Sequence, residues 1–140
     1  MRLYTLPVQA TGHDIDANGH VNNIVYVQWM QEVAIAHSDA VGCSAATSAA
    51  GATWVARSHH IDYLRPAYAG DRILVQTWLI AATRKSSSSR RYRIVRDSDG
   101  TVLARGETLW VFIDTQTGRP RTIPPEVIGC FEPVPAEEEP

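Results

Sequence analysis

Between residues 13 and 23 the chain crowds polar side chains against the start of an apolar stretch. Asp14, Asp16, Asn18, His20, Asn22 and Asn23 are followed by Ile24, Val25, Tyr26, Val27, Trp29, Met30, Val33 and Ala34. If the apolar stretch is a helix, its first amides have no intrahelical acceptor and carry partial positive charge. Such amides can polarise a carbonyl and stabilise an oxyanion as it forms. A carboxylate about one substrate atom away can then activate water or attack the carbonyl itself. Asp16 stands the right few residues ahead of the helix for that work. The same residues also read as plain structure, with Asp16 and Asn18 in an Asx turn, Asn22 as N-cap and Asp14 as a charge favoured by the helix dipole. Residue types alone leave both readings standing.

Other chemistries fare worse. Asp14-x-Asp16-x-Asn18-Gly19 spells the first half of a calcium loop, but the twelfth position, which needs a bidentate glutamate, is Val25. There is no GxSxG elbow, no phosphate-cradling P-loop and no GxGxxG pattern. His59 and His60 are adjacent in a strand-like segment, so one is expected at the core rim and the other facing outward, not on one ion. Cys43 and Cys130 are too few for a disulfide framework or a CxxC site and are expected to be reduced, structural residues in loops. No metal is expected.

The elements that must position the polar segment follow from patterning. Residues 2–11 alternate as a first strand, with Pro7 placing it at a sheet edge. A helix is expected over 23–41, stopped by Gly42. Its polar face is narrow (Gln28, Gln31, Glu32, Asp39), so it should be largely enclosed. Residues 43–51 read as a loop with at most a helical turn. Four strands are expected over 52–65, 71–83, 88–96 and 101–114, the last two joined by Asp97-Ser98-Asp99-Gly100, a hairpin signal. Residues 124–128 suit a short helix that begins with proline. This order argues α+β, one domain over 1–131, and an acidic, proline-rich tail over 132–140 that is expected to be mobile. One sheet buries one side of a helix, so the sheet must curl about it and a second subunit must cover the rest.

The 140 residues, 44% of them hydrophobic and 20% charged, suffice for one core. A net charge of −2 argues against nucleic acid as partner. No apolar run reaches about 18 residues, so no membrane span is expected. Residues 1–9 lack a signal-peptide pattern, which makes the cytoplasm the expected location.

The run Asp16-x-Asn18-x-His20-Val21-Asn22-Asn23-x-x-Tyr26, continuing to Trp29 and Glu32, resembles the hotdog-fold thioesterases of acyl-CoA and acyl-ACP, above all the 4-hydroxybenzoyl-CoA thioesterase group. Ile61-Asp62-Tyr63-x-x-Pro66-Ala67-x-x-Gly70-Asp71 extends the resemblance into the third strand. It implies a five-stranded antiparallel sheet wrapped around one long helix, in a homodimer or homotetramer. It implies that Asp16 is the catalytic carboxylate and that the Asn23 amide donates to the thioester oxygen. Asn18 and His20 match polar residues of the plant acyl-ACP members, and Tyr26 belongs to the substrate side of the motif. Thr83-Arg84-Lys85-Ser86 resembles the segment that meets CoA phosphates, with Arg90, Arg91 and Arg93 adding charge nearby. Where plant members carry a Glu-Cys pair this chain has Pro66-Ala67, which removes a cysteine-nucleophile scheme. Glu32 is expected to be a buried structural carboxylate.

The implied reaction is hydrolysis of an acyl-CoA or acyl-ACP thioester to acid and thiol, without a cofactor. Two alternatives share the fold: a hydratase or dehydratase acting on an acyl thioester, and a non-catalytic acyl-CoA-binding protein. Trp54, Trp78, Tyr63 and Met30 are candidates for lining the acyl site.

Overall fold

The structure, a computed structural model, describes residues 2–81 and 84–140. Its strands are β1 (Tyr4–Gln9), β2 (Ala52–Tyr63), β3 (Arg72–Leu79), β4 (Ser87–Arg96) and β5 (Val102–Asp114). They form one five-stranded sheet in the order β1-β3-β4-β5-β2, every neighbouring pair antiparallel. Pro7 lies in β1, where a strand bonded on one side tolerates a residue with no N–H. Gly100 turns the β4–β5 hairpin with φ +70.

Helix α1 (Asn23–Ala40) is capped by the Asn22 side chain, which accepts from the Ile24 N–H, and stops where Gly42 takes φ +82. Val25, Tyr26, Trp29, Met30, Val33, Ala34 and His37 fall at helical spacing and make its buried stripe. Side chains from all five strands join that stripe in one core: Tyr4, Leu6 and Val8 of β1, Ile61 of β2, Ile73 and Val75 of β3, Tyr92 and Ile94 of β4, and Ala104 and Trp110 of β5. The sheet thus wraps the helix, which is the hotdog arrangement. Helix and sheet meet so closely at Gly106 that a Cβ there would lie 3.0 Å from Met30 Cε.

Several expectations are corrected. Residues 43–49 are not a loop: they form α2 (Cys43–Ala49), which buries Cys43 and Thr47. With Ala52, Phe112, Ile123 and Val127 they make a second small core, closed by α3 (Pro125–Ile128). Helix α1, which one sheet cannot cover all round, leaves Ile24 66% and Ile35 59% exposed on the protomer. Glu32 is exposed, not buried, because it lies beside Gln28 and Gln31 and away from the buried stripe. The last residues expected for the third strand, Ala82 and Thr83, lie outside the described residues.

Where a mobile tail was expected, residues 132–140 lie against the sheet. The Val134 N–H donates to the Leu79 carbonyl at 2.8 Å, and Val134 is buried. Glu139 accepts from the Trp78 indole at 2.8 Å and pairs with Arg91 at 2.6 Å. Acidic side chains find arginines there, so charge that favours disorder in isolation becomes an anchor. No helix among the described residues is long and apolar enough to cross a membrane.

Candidate active site

The polar loop is folded by its own backbone. Ile15 bridges Val21, the Asp16 N–H donates to the His20 carbonyl at 2.9 Å, and the Asn22 N–H donates to the Asp14 carbonyl at 2.8 Å. Gly19, at φ +77, makes the reversal, and its N–H donates to the Asp16 carbonyl. This doubles residues 14–16 back alongside 20–22, at the foot of α1. The Val21 N–H then donates to the Ala67 carbonyl at 2.9 Å, tying the loop to the segment ahead of β3.

Each expected side chain has a distinct situation. Asp14 is spent on structure: its Oδ2 accepts from the Thr11 N–H at 2.8 Å and from the Thr11 hydroxyl. Asp16 is half-buried, and its Oδ1 accepts from the Asn18 N–H at 2.9 Å. That is the Asx turn the sequence allowed, and it leaves Oδ2 with no donor among the described residues. One oxygen orients the carboxylate while the other stays available. Asn22 is the N-cap, and no acceptor among the described residues meets the Asn23 N–H, the first amide of the helix. The site and cap readings are therefore compatible, carried by different atoms of one loop. The Asn18 and Asn23 side chains are exposed, and the exposed His20 ring packs edge-on against Tyr68 at 5.4 Å.

Tyr26 was expected on the substrate side. It is a core residue, 3% exposed, with its ring edge-on to Trp29 and Tyr63. Helical spacing from Tyr26 to Trp29, Met30 and Val33 puts it on the buried stripe. Tyr63, half-exposed, donates its hydroxyl to the Asn23 carbonyl at 3.0 Å and so braces the helix start from β2. Burial pushes both tyrosine hydroxyls up from their usual pKa, which keeps them as donors. Tyr63 is a candidate for lining the acyl site, but its brace joins residues 40 positions apart and leaves no local signal. Of the other candidates, Met30 is buried against Gly106, Trp54 donates its indole N–H to Thr47 at 3.1 Å, and Trp78 lies under the tail.

Arg84, Lys85 and Ser86 are not brought to this loop within one protomer. They sit in the β3–β4 connection, where the Arg84 N–H bonds the Ser87 carbonyl and the Ser86 and Lys85 carbonyls accept from Phe112 and Ile123. Asp16 lies near the other end of β3, where the Ala10 N–H meets the Asp71 carbonyl. The two ends are separated by roughly 25 Å, the length of an eight-residue strand. Arg84 and Lys85 are exposed; Thr83 lies outside the described residues. The added charge expected from neighbouring arginines is absent from that rim: Arg90 is buried, Arg91 pairs with Glu139, and Arg93 donates to Gln76 at 2.8 Å.

His59 Nδ1 and the Thr108 hydroxyl are 2.7 Å apart, while His60 faces Asp62 at 3.3 Å, so the two rings diverge as alternation requires. No three His, Cys, Asp or Glu side chains among the described residues are grouped to hold a metal ion.

Residues 11–131 match the model of the Thioesterase-like superfamily. The chain belongs to that superfamily. It is 29% identical over 139 residues to an L-carnitine dehydrogenase/betainyl-CoA thioesterase of Agrobacterium fabrum, a match covering 99% of this chain and 28% of that protein. It is also 29% identical over 129 residues to a chloroplastic dodecanoyl-[acyl-carrier-protein] hydrolase of Umbellularia californica, covering 86% of this chain and 33% of that one. The chain thus spans a third or less of the length of these two relatives. Among solved structures, a 1,4-dihydroxy-2-naphthoyl-CoA thioesterase from Synechocystis superposes with TM-score 0.80 at 22% identity, covering 91% of this chain and 94% of that one. At that identity the superposition speaks to the fold, and it agrees with the sheet order and enclosed helix described above.

Proposed function

We propose that this superfamily member hydrolyses an acyl-CoA or acyl-ACP thioester to a free acid and a thiol. The observation that carries the reading is the division of labour at the foot of α1: Asp16 is oriented through Oδ1, and the Asn23 N–H stands without an acceptor among the described residues. The Asn23 amide takes the thioester oxygen and, with the helix dipole, stabilises the oxyanion. Asp16 Oδ2 either accepts a proton from the attacking water or attacks the carbonyl to give an anhydride that water then opens. In the first course the proton taken by Asp16 passes to the sulfur as the new C–O bond replaces the C–S bond, giving the thiol. In the second the thiolate leaves as the anhydride forms, and it takes up a proton released when water opens the anhydride and restores the Asp16 carboxylate. Asn18 and His20 orient the water or the leaving group. The scheme calls for no cofactor.

The working unit is a homodimer or larger homo-oligomer. Three features support this. Ile24 and Ile35 leave the helix partly uncovered, the twelve-residue β2 is an open edge, and Arg84 and Lys85 lie at the opposite end of β3 from the Asp16 loop. Phosphates of CoA bound by Arg84 and Lys85 of one subunit would then serve Asp16 of the other.

The test is thiol release by Asp16→Asn across an acyl-CoA panel that includes aromatic acyl groups. Near wild-type turnover would overturn the assignment, and water addition to an enoyl-CoA without thiol release would replace it with hydration.

A further inference from the structure

A cavity of about 630 Å³ opens at the other end of the helix, between α1, α2, the inner sheet face and the α3 segment. Its wall is mostly apolar, with Trp54, Leu79, Trp110, Val127 and Phe131, but it also carries Arg90. Arg90 is 3% exposed. It occupies an inward register position on β4, paired with Leu79 of β3 and Thr108 of β5, where hydrophobic residues are expected. Its Nη1 donates to His37 Nδ1 at 2.9 Å and to the Thr77 hydroxyl at 3.1 Å. Arginine has no lone pair to offer, so His37 Nδ1 is the acceptor and carries no proton. The guanidinium carbon lies 5.4 Å from the centre of the Phe131 ring.

These contacts are an imidazole nitrogen, a hydroxyl and an aromatic face. A buried guanidinium is ordinarily matched by a carboxylate, because desolvating it alone is costly. Here no Asp or Glu among the described residues pairs with Arg90, and no acceptor among them meets its Nη2 or Nε. Burial pulls its pKa down from the usual arginine range. Trp110 adds an aromatic face to the same wall, its buried indole N–H lying beside the Tyr92 hydroxyl. The cavity therefore supplies a cationic donor together with an aromatic, aliphatic wall, and no Asp or Glu among the described residues lines it.

We propose that this cavity binds an amphipathic organic carboxylate, its head on Arg90 and its apolar body against Trp54, Trp110, Leu79 and Phe131. The geometry suits Arg90 for it, since a carboxylate matches the planar fork of a guanidinium. Within one protomer the site is separate from the Asp16 loop. From Asn23 to Ala34 the helix advances roughly 17 Å. Two sources share the ligand chemistry: a free acid, and the distal carboxylate of a dicarboxylic acyl group.

The test titrates the full chain with octanoate, octan-1-ol and octylamine by calorimetry and tryptophan fluorescence, in wild type, Arg90→Met and Asp16→Asn. Wild type is expected to bind octanoate about 10- to 100-fold more tightly than octanol, as a charge-assisted hydrogen bond would give, with octylamine weakest. Arg90→Met should bring octanoate down to the octanol level and leave octanol unchanged. Equal binding of the three ligands by wild type, no octanoate binding, or a carboxylate preference that survives in Arg90→Met would overturn the proposal. If Arg90→Met does not fold, the wild-type ligand order decides. Asp16→Asn should keep the octanoate affinity, so failure of the hydrolytic reading and failure of this one are separable. Comparing hexadecanedioyl-CoA with palmitoyl-CoA as substrates separates the sources, since a sixteen-carbon chain is long enough to span the helix advance between Asn23 and the cavity. A tenfold kcat/KM advantage for hexadecanedioyl-CoA, lost in Arg90→Met, points to the acyl group; octanoate binding without that advantage points to the free acid.

Discussion

The two ends of helix α1 solve opposite problems. At the N-terminal end, polar side chains sit at the surface and are held by backbone bonds within a few residues of one another, as in the Asp16–Asn18 turn and the Asn22 cap. At the far end, a cation is buried among aromatic residues and held by His37 and Thr77, which reach it from other elements. The first arrangement is cheap to desolvate and easy for a substrate to reach. The second exacts a desolvation cost, and the packing of α2, α3 and the sheet sustains it. Substitution of the exposed carboxylate at the near end should therefore alter rates, while substitution in the packed core at the far end should alter stability.

The largest expected effect is at the near end. Asp16→Asn should lower kcat for thioester hydrolysis by about 10²- to 10⁴-fold. The melting temperature should hardly move, because the asparagine oxygen can still accept from the Asn18 N–H. A large loss of stability would break the division between the two ends. At the far end, Phe112→Ala removes a fully buried ring from the second core. It should cost about 3–5 kcal/mol in urea unfolding, while kcat per folded molecule stays near wild type. Replacing Arg84 and Lys85 together by alanine should raise KM for CoA thioesters about tenfold with little change in kcat, as the loss of a charge-assisted phosphate contact predicts. An unchanged KM would take those residues out of substrate binding. The smallest effect is expected for Asn22→Ala, which should cost about 1 kcal/mol of stability through loss of the cap.

The same contrast governs how far the sequence could be read. Helix α1 was legible because its cap, stripe and stop are local: Asn22, the spacing from Val25 to Val33, and Gly42. The strands were legible by alternation and by Gly100. The loop around Asp16 declared itself because its carboxylate, its turn partner and its helix amide lie within eight residues. Helix α2 was missed because its run of Cys, Ser, Ala and Thr has no apolar stripe, and its burial comes from Phe112 and Trp54 elsewhere in the chain. The docking of 132–140 was hidden because its anchors, Leu79, Trp78 and Arg91, stand some 50 residues upstream. His37 and Arg90, 53 residues apart, left only faint traces: a histidine on the apolar stripe and an arginine at an inward strand position. Glu32 was expected to be buried, although its place with Gln28 and Gln31 on the narrow polar face already directs it outward.

The contact between Val134 and Leu79 has a consequence for how sheets of this protein can join. Beyond the reach of β1, the far end of β3 would otherwise offer bare backbone groups, and Val134 occupies that position. The rest of that side is β1, six residues long and interrupted by Pro7. Strand addition is thereby confined to the opposite margin, β2. A sheet that can be extended from one margin alone can pair with its own copy and then has nothing left to extend. Growth by strand addition ends at two chains, and fibres built by joining one margin to the other are disfavoured.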